Sequence, residues 1–163
     1  MSKRIIIGAT TIILLLFSGF WLFWPSEEDR IRKQFDELSG LVSKTEDSSP
    51  LSDALIMQDI VRLFTQQVTL KTGGRKRLSG MHTSQELGQL CVRLRVSAKT
   101  IDLRFDDLEF KEINRDDAKV TARVKVMGME KRGQKHSENF RAEVLLQKRE
   151  GDWRFASFTY LGP

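Results

Sequence analysis

The sequence has few of the residues on which common kinds of site depend. Its 163 residues include one cysteine, two histidines, one tyrosine and three prolines. A single cysteine excludes a disulfide within one chain, whatever the redox state of the compartment. Neither His82 nor His136 has a second histidine or a cysteine at metal-ligand spacing, so we expect no metal site and no cofactor.

Charge of one sign is also not strongly in excess. The formal net charge of +5 falls to +3 over residues 25–163, where 25 basic side chains face 22 acidic ones. This balance does not require a nucleic-acid partner, and we expect none. With 40% hydrophobic and 30% charged residues, the chain has enough apolar material for one packed domain and no room for two of ordinary size.

One long uncharged stretch, residues 5–24, stands near the N-terminus and counts 20 positions. A helix needs about 20 apolar residues to cross a bilayer. The alternative is a cleaved signal peptide, but the four residues before Pro25 are Trp-Leu-Phe-Trp, whereas signal peptidase requires small residues there. Such aromatic residues suit the membrane interface. The stretch therefore predicts an uncleaved transmembrane anchor.

The charges that flank this stretch predict its orientation. Lys3 and Arg4 precede it, and the acidic residues 27–29 follow it. This favours a cytoplasmic N-terminus, with the following domain on the periplasmic or extracellular side of a single-pass membrane protein. Three parts are expected: a short cytoplasmic tail over 1–4, a transmembrane anchor helix over 5–24 and an extracytoplasmic α+β domain over 25–163.

Three helices are predicted after the anchor. The first and third begin with capping boxes, Ser26 with Asp29 and Thr83 with Glu86, and the second begins at Pro50. Apolar residues then recur at helical spacing. These stripes are Ile31, Phe35, Leu38 and Val42 in the first helix; Ile56, Ile60, Leu63 and Phe64 in the second; and Leu87, Leu90, Cys91 and Leu94 in the third.

From Ile101 onward the apolar period changes to two, which predicts strands. Four long antiparallel strands are expected, the first with a bulge at Asp106-Asp107 and the last running from Trp153 to Tyr160. One short strand is expected earlier, at Val68–Leu70. Helices followed by strands indicate an α+β fold in which three N-terminal helices pack on a curved antiparallel sheet.

This order of elements resembles the nuclear transport factor 2-like superfamily, also called SnoaL-like or cystatin-like. The resemblance covers residues 27–161, and its most telling part is the final turn and strand, Glu150–Tyr160. It implies three helices that close a strongly curved, cone-like antiparallel sheet. The superfamily includes isomerases, dehydratases and hydrolases that work inside the cone, and members that only bind, dimerise or scaffold, so the fold leaves the function open.

No acid or base stands among the strand positions that should face the cone. Those positions are Val120, Ala122, Val124, Val126, Phe140, Ala142, Val144 and Leu146. Asp102, Asp106 and Asp107 fall opposite this face or in the bulge, where a solvated edge is expected. Cys91 shares its stripe with three leucines, as an inert buried thiol would. We therefore expect no catalytic residue and no enzymatic activity.

The weak candidates for a ligand pocket are the aromatic residues of the last strand: Trp153, Phe155, Phe158 and Tyr160. Tyr160 would supply the polar group, and core packing is the alternative for all four. Two basic segments, residues 71–77 and 131–136, are expected to be solvated turns. Their alternative is contact with phospholipid headgroups or an acidic partner.

The leading hypothesis is a membrane-anchored extracytoplasmic binding or scaffold domain. It would be an accessory or assembly subunit of an envelope complex, acting through contacts with a protein partner or as a homodimer. One span followed by such a domain is similar to the assembly-scaffold subunit of type IV secretion systems, although those subunits carry a longer cytoplasmic tail than residues 1–4. The alternative is a small-molecule-binding or enzymatic cone of the isomerase or dehydratase type.

Overall fold

A computed structural model describes residues 25–46, 50–74 and 78–163. The elements in chain order are α1 (Glu27–Val42), α2 (Pro50–Leu63), β1 (Phe64–Lys71), β2 (Gly80–Thr83), α3 (Ser84–Ser97), β3 (Ala98–Ile113), β4 (Asp117–Glu130), β5 (Lys135–Arg149) and β6 (Asp152–Gly162). Among these described residues, no helix has the length and apolar character needed to cross a membrane. The predicted anchor, residues 5–24, lies outside the described part of the chain.

The six strands form one sheet in the order β2-β1-β6-β5-β4-β3. Three helices pack on this curved sheet, so the predicted α+β architecture is confirmed. The sheet is not wholly antiparallel as expected, because β1 runs parallel to β6. The β5–β6 hairpin turns at Glu150 and Gly151, both with positive φ (55° and 89°), which is the backbone geometry that suits a two-residue hairpin loop.

Both predicted capping boxes are present. The backbone N–H of Asp29 donates to Ser26 Oγ over 3.1 Å, and that of Glu86 donates to Thr83 Oγ1 over 3.2 Å. Each acidic side chain in turn accepts from the backbone N–H of its cap residue. The helix starts are therefore fixed by local sequence, independently of packing.

The predicted bulge lies within β3, which is a single strand of 16 residues. Pairing with β4 shifts register between Asp106 and Glu109, and Asp107 has a φ of 51°. Ion pairs hold the two aspartates, Asp106 to Lys125 at 2.8 Å and Asp107 to Arg123 at 2.9 Å. The bulge therefore places two carboxylates in surface ion pairs.

The core lies between the helices and the sheet. Phe35 of α1 occupies its centre, with its ring 5.1 Å from the rings of both Phe105 and Phe155. Fifteen buried apolar side chains form the cluster: Ile31, Phe35, Leu38, Ile60, Leu63, Phe64, Val68, Leu87, Ala118, Val120, Ala122, Val144, Leu146, Trp153 and Phe155. The predicted stripe of α3 is correct at Leu87 and wrong at Leu94, which is 49% exposed.

Helix α1 connects two ends of the domain. At its start, Glu27 contacts Lys148 and Trp153 near the β5–β6 hairpin. Beyond its end, Lys44 pairs with the edge of β3 through N–H···O bonds to and from Ile101, 2.7 and 3.0 Å long. With 16 residues, α1 is about 24 Å long. We call the end at Glu27 the cluster end, after the side-chain cluster described below, and the end at Lys44 the groove end, after the groove described below.

Candidate functional site

The groove end carries a groove of about 830 Å³. It lies between the C-terminal ends of α1, α3 and β4 and the N-terminal ends of β3 and β5. Ile101, Gly128 and His136 lie in its lining and are register partners across three neighbouring strands. The other lining residues are Gly40, Ser43, Lys44, Thr45, Glu46, Arg95, Thr100, Asp102, Met127, Met129, Lys135 and Ser137.

The carboxylates that line the groove are balanced by cations. Lys99 pairs with Glu46 at 2.6 Å, and Arg104 pairs with Asp102 at 3.0 Å. Neither carboxylate is paired with another acid. Two neighbouring acids are the arrangement that would raise the pKa of one carboxyl group for general acid catalysis. The groove therefore offers binding chemistry, with apolar and charged groups side by side.

Buried Arg95 joins two walls of the groove. It is 3% exposed and its Nη1 donates to the carbonyl oxygens of Leu41 at 2.9 Å, Val42 at 3.2 Å and Ser43. These are carbonyls at the end of α1, which have no partner within the helix. A guanidinium there also complements the negative end of the helix dipole. Arg95 therefore fixes the end of α1 against α3.

His136 and Glu138 occupy strand positions that sequence reasoning missed. The apolar face of β5 was traced back only to Phe140, but β5 begins at Lys135. Alternation puts His136 and Glu138 on the same face as Phe140 and Ala142, paired with Gly128 and Val126 of β4. Both side chains are exposed. No apolar residue stands at positions 135–139, so the sequence carries no alternation that would mark this part of the strand.

Cys91 is half-buried in the part of α3 that packs against the core. Burial raises the pKa of its thiol to about 11, so almost none is thiolate at neutral pH. We expect the native chain to react slowly with a thiol reagent at pH 7.5 and to react at once in urea, with one label per chain. Cys91→Ala should cost on the order of 1 kcal/mol in unfolding free energy. Rapid labelling of the native protein would contradict this assignment.

A second cluster, which we call the Glu27 cluster, lies at the other end of α1. Glu27 Oε2 accepts from Trp153 Nε1 at 2.6 Å, and Oε1 accepts from Lys148 Nζ at 2.8 Å. Arg30 Nη2 donates to the Gly151 carbonyl at 2.6 Å. The hydrogen bond from Lys148 is the main cause that lowers the pKa of Glu27. These groups satisfy each other, so the Glu27 cluster fastens α1 to the β5–β6 hairpin.

The four aromatic ligand candidates do not come together in one site. Trp153 and Phe155 are buried in the core, at 2% and 0% exposure. Phe158 is half-buried beside Phe155, with ring centroids 5.3 Å apart. Tyr160 is 39% exposed and packs on Phe140, with ring centroids 5.4 Å apart. None of the four lines the groove, and their ligand role stays a prediction.

Histidines and acids do not cluster as metal ligands among residues 25–46, 50–74 and 78–163. His82 Nε2 lies 3.1 Å from the Leu78 carbonyl oxygen, and His136 Nε2 lies 3.0 Å from Glu130 Oε1. The two histidines thus have separate local partners.

Solved structures share this arrangement of elements. A candidate scytalone dehydratase from Novosphingobium aromaticivorans has a TM-score of 0.67 at 10% identity, with 84% of each chain covered. A candidate dehydratase of the NTF2-like family from Streptomyces avermitilis has a TM-score of 0.62 at 9% identity, covering 84% of this chain and 97% of that one. The domain has the nuclear transport factor 2-like fold.

A third similar structure is a candidate calcium/calmodulin-dependent protein kinase II association domain from Xanthomonas campestris. Its TM-score is 0.60 at 14% identity, with 85% of this chain and 89% of that chain covered. No family model and no curated protein sequence matches this chain. At these identities the likeness concerns the fold alone, and the neighbours differ among themselves in the activity that is assigned to them.

Proposed function

We propose that the protein is a membrane-anchored extracytoplasmic binding domain that acts through protein contacts, as an accessory or assembly subunit of an envelope complex. The observation that carries this proposal is the filled interior. The large side chains that meet at the centre of the cone, Phe35, Trp153 and Phe155, are all less than 3% exposed. A packed centre of this kind supports a binding surface on the outside of the domain.

The shifted carboxylates support the same conclusion. Within the described part of the chain, the carboxyl groups with a lowered pKa owe the shift to helix caps or ion pairs, as in Asp29 and Glu86 at capping boxes and Asp106 beside Lys125. A general acid needs the opposite shift, towards neutral pH. These groups stabilise local structure instead.

The outer face of the sheet supplies a second surface for protein contacts. Leu145 is 36% exposed there, and its register partner Ser157 and nearby Thr121 are small and buried. Charged side chains border this area, including the Arg141–Glu109 pair at 3.5 Å. An exposed leucine among small residues with a charged rim suits a modest subunit interface. A homodimer through this face is included in the proposal.

The second candidate is a small-molecule-binding or enzymatic cone. His136 and Glu138 favour it, because they extend the inner face of β5 with two titratable side chains at the groove end. The likeness to candidate dehydratases adds weight. Under this alternative, His136→Ala and Glu138→Gln would abolish turnover of a substrate while leaving protein contacts unchanged.

Site-specific photo-crosslinking of the full chain in its native membranes tests the proposal. A photo-reactive residue at Leu145 or Met127, both exposed, should give adducts of defined mass. Alkaline carbonate should leave the chain in the membrane pellet, as an anchor over residues 5–24 requires. An adduct at Leu145 with twice the chain mass of 18.8 kDa would identify the homodimer.

The matched control is Arg115, an exposed residue of the β3–β4 turn. It should give no defined adduct, because it lies at the cluster end, away from both surfaces. Absence of adducts at Leu145 and Met127, or release of the chain by carbonate, would contradict the proposal.

A further inference from the structure

The β4–β5 hairpin turn at the groove end is strongly basic. Lys131, Arg132 and Lys135 are all exposed. Within the described ranges, the side chains of these three residues make no ion pair. Nearby Glu130 already faces His136 at 3.0 Å, and Glu138 of β5 is also engaged. The turn therefore presents three unneutralised cations at one edge of the groove.

The groove beside this turn supplies apolar surface. Met127 is 45% exposed, and Met129 and Ile101 are half-buried in the same lining. Methionine side chains adapt to irregular partner surfaces. The acids of the groove, Glu46 and Asp102, are held by Lys99 and Arg104, so they do not cancel the charge of the turn. The surface combines exposed apolar side chains with positive charge at its edge.

The cluster end of the domain is rich in acidic side chains. Acidic side chains crowd the start of α1 and the two turns beside it. The exposed members are Glu28, Asp29, Asp116, Asp117, Glu150 and Asp152. Three basic residues at this end, Arg30, Lys148 and Arg154, each pair with a carboxylate, and Arg115 and Arg149 are exposed beside them. Acidic residues still outnumber basic ones at this end, so the domain has a moderate charge asymmetry along α1.

This polarity argues against the anchoring membrane as the partner of the basic turn. If the anchor precedes Pro25, the membrane lies at the cluster end, and α1 alone separates the two ends by about 24 Å. The Debye length at physiological salt is about 8 Å. If α1 points away from the bilayer, the three cations lie several screening lengths from those headgroups, and a partner reaches them on the side that faces away from the membrane.

We propose that the groove end binds an acidic segment of a partner protein, with carboxylates against Lys131, Arg132 and Lys135 and apolar side chains in the groove beside Met127. This inference rests on the proposed function and names the chemistry of its partner. Complementary charge would steer the segment to the edge of the groove, and apolar contact would hold it there.

The test uses the full chain in nanodiscs of zwitterionic phosphatidylcholine. The probe is a fluorescein-labelled 12-residue peptide of alternating glutamate and leucine, followed by fluorescence anisotropy, with a lysine–leucine peptide as the opposite-charge comparison. We expect the acidic peptide to bind and the basic one not to bind. The triple variant K131E/R132E/K135E should weaken binding at least about tenfold in low salt, and this effect should shrink as salt is raised.

The matched control reverses three exposed basic residues away from the groove end, as K33E/R115E/R149E. It changes the net charge of the chain by the same amount and should leave the affinity within about twofold. Met127→Ser should weaken binding severalfold in low and high salt alike, because it removes apolar contact and no charge.

Three results would overturn the proposal: equal loss in both triple variants, displacement of the peptide by phosphatidylglycerol vesicles, or no binding of the acidic peptide. The first indicates an effect of net charge alone, and the second indicates a lipid surface. The proposed function fails separately. It would stand if crosslinks formed at Leu145 while the peptide failed to bind.

Discussion

Replacing Trp153 with alanine is expected to lower the unfolding free energy of a soluble chain of residues 25–163 by about 3–5 kcal/mol. The indole is 2% exposed, lies in the central cluster and donates its N–H to Glu27 over 2.6 Å. The substitution leaves a cavity and also removes a donor from the Glu27 cluster. For a domain of this size the thermal midpoint should fall by roughly 10 °C or more, as measured by circular dichroism.

Two further variants serve as comparisons, one that removes the indole N–H but keeps an aromatic ring and one at an exposed control position. Trp153→Phe keeps an aromatic ring in the core and loses the N–H, so its cost should be smaller, about 1–2 kcal/mol. Arg115→Ala, on the exposed β3–β4 turn, should change stability by less than about 0.5 kcal/mol. If Trp153→Ala leaves the midpoint unchanged, or if residues 25–163 aggregate with Trp153 intact, the assignment of an independent core is wrong.

The long strands could be predicted because their signals are local. In β4, residues 118–126 alternate between apolar and polar positions, and the apolar set lies on the buried face as expected. At the turn, Gly151 suits its positive φ of 89°, whereas Glu150 adopts a φ of 55° that favours glycine, asparagine or aspartate. The bulge at Asp106-Asp107 was visible because two consecutive acids interrupt the alternation. The two-residue apolar period and the turn residues together predict the positions of β3–β6.

The other edge of the sheet could not be derived in the same way. Strand β1 begins at Phe64, directly after α2, and that residue was assigned to the helix stripe because apolar spacing alone does not separate the two periods there. Its pairing with β6 joins residues about 90 positions apart, and no local signal encodes such a contact. Strand β2 is four residues long and mostly exposed, so it has no apolar face to recognise.

The groove was missed for a related reason. It is assembled from the ends of five elements, and its lining mixes apolar and charged residues with no shared period. Nothing in the sequence marks Arg95 as buried, because a charged residue in the last turn of a helix ordinarily faces solvent. What places it inside is the end of α1, more than 50 residues earlier in the chain. The acceptors that it satisfies carry no signature in the sequence.

The Glu27 cluster could not be predicted from the sequence either, because its members lie far apart in the chain. Trp153 could be recognised as a core residue from the last strand, but its acceptor Glu27 lies 126 residues away. Both ends of α1 are thus fixed by charged side chains that act over long separations in sequence, Glu27 at the start and Arg95 at the end. Because α1 lies over the sheet and forms part of the groove, its placement determines the shape of the proposed binding surface.

Arg95→Ala is expected to be the second most damaging substitution, with a loss of about 3 kcal/mol or more in unfolding free energy. The side chain is 3% exposed, and its guanidinium donates to the last carbonyls of α1. Its removal leaves partly buried carbonyl acceptors without this donor, at a cost of up to about 1–3 kcal/mol for each one that water does not reach. It also withdraws a positive charge from the negative end of the helix dipole. Chemical denaturation of the chain measures the loss.

Arg93→Ala is the matched control, since Arg93 lies on the same helix, is exposed and makes one weak contact with its own helix at 3.4 Å. It should cost less than about 0.5 kcal/mol. Arg95→Met keeps most of the buried aliphatic part of the side chain and removes its donors. It therefore separates the contribution of the hydrogen bonds from the cost of the cavity. In both Arg95 variants, hydrogen exchange should accelerate first at Ser43, whose N–H bonds to the Ser39 carbonyl at 2.9 Å. Equal losses in Arg95→Ala and Arg93→Ala would show that Arg95 does not hold α1 in place.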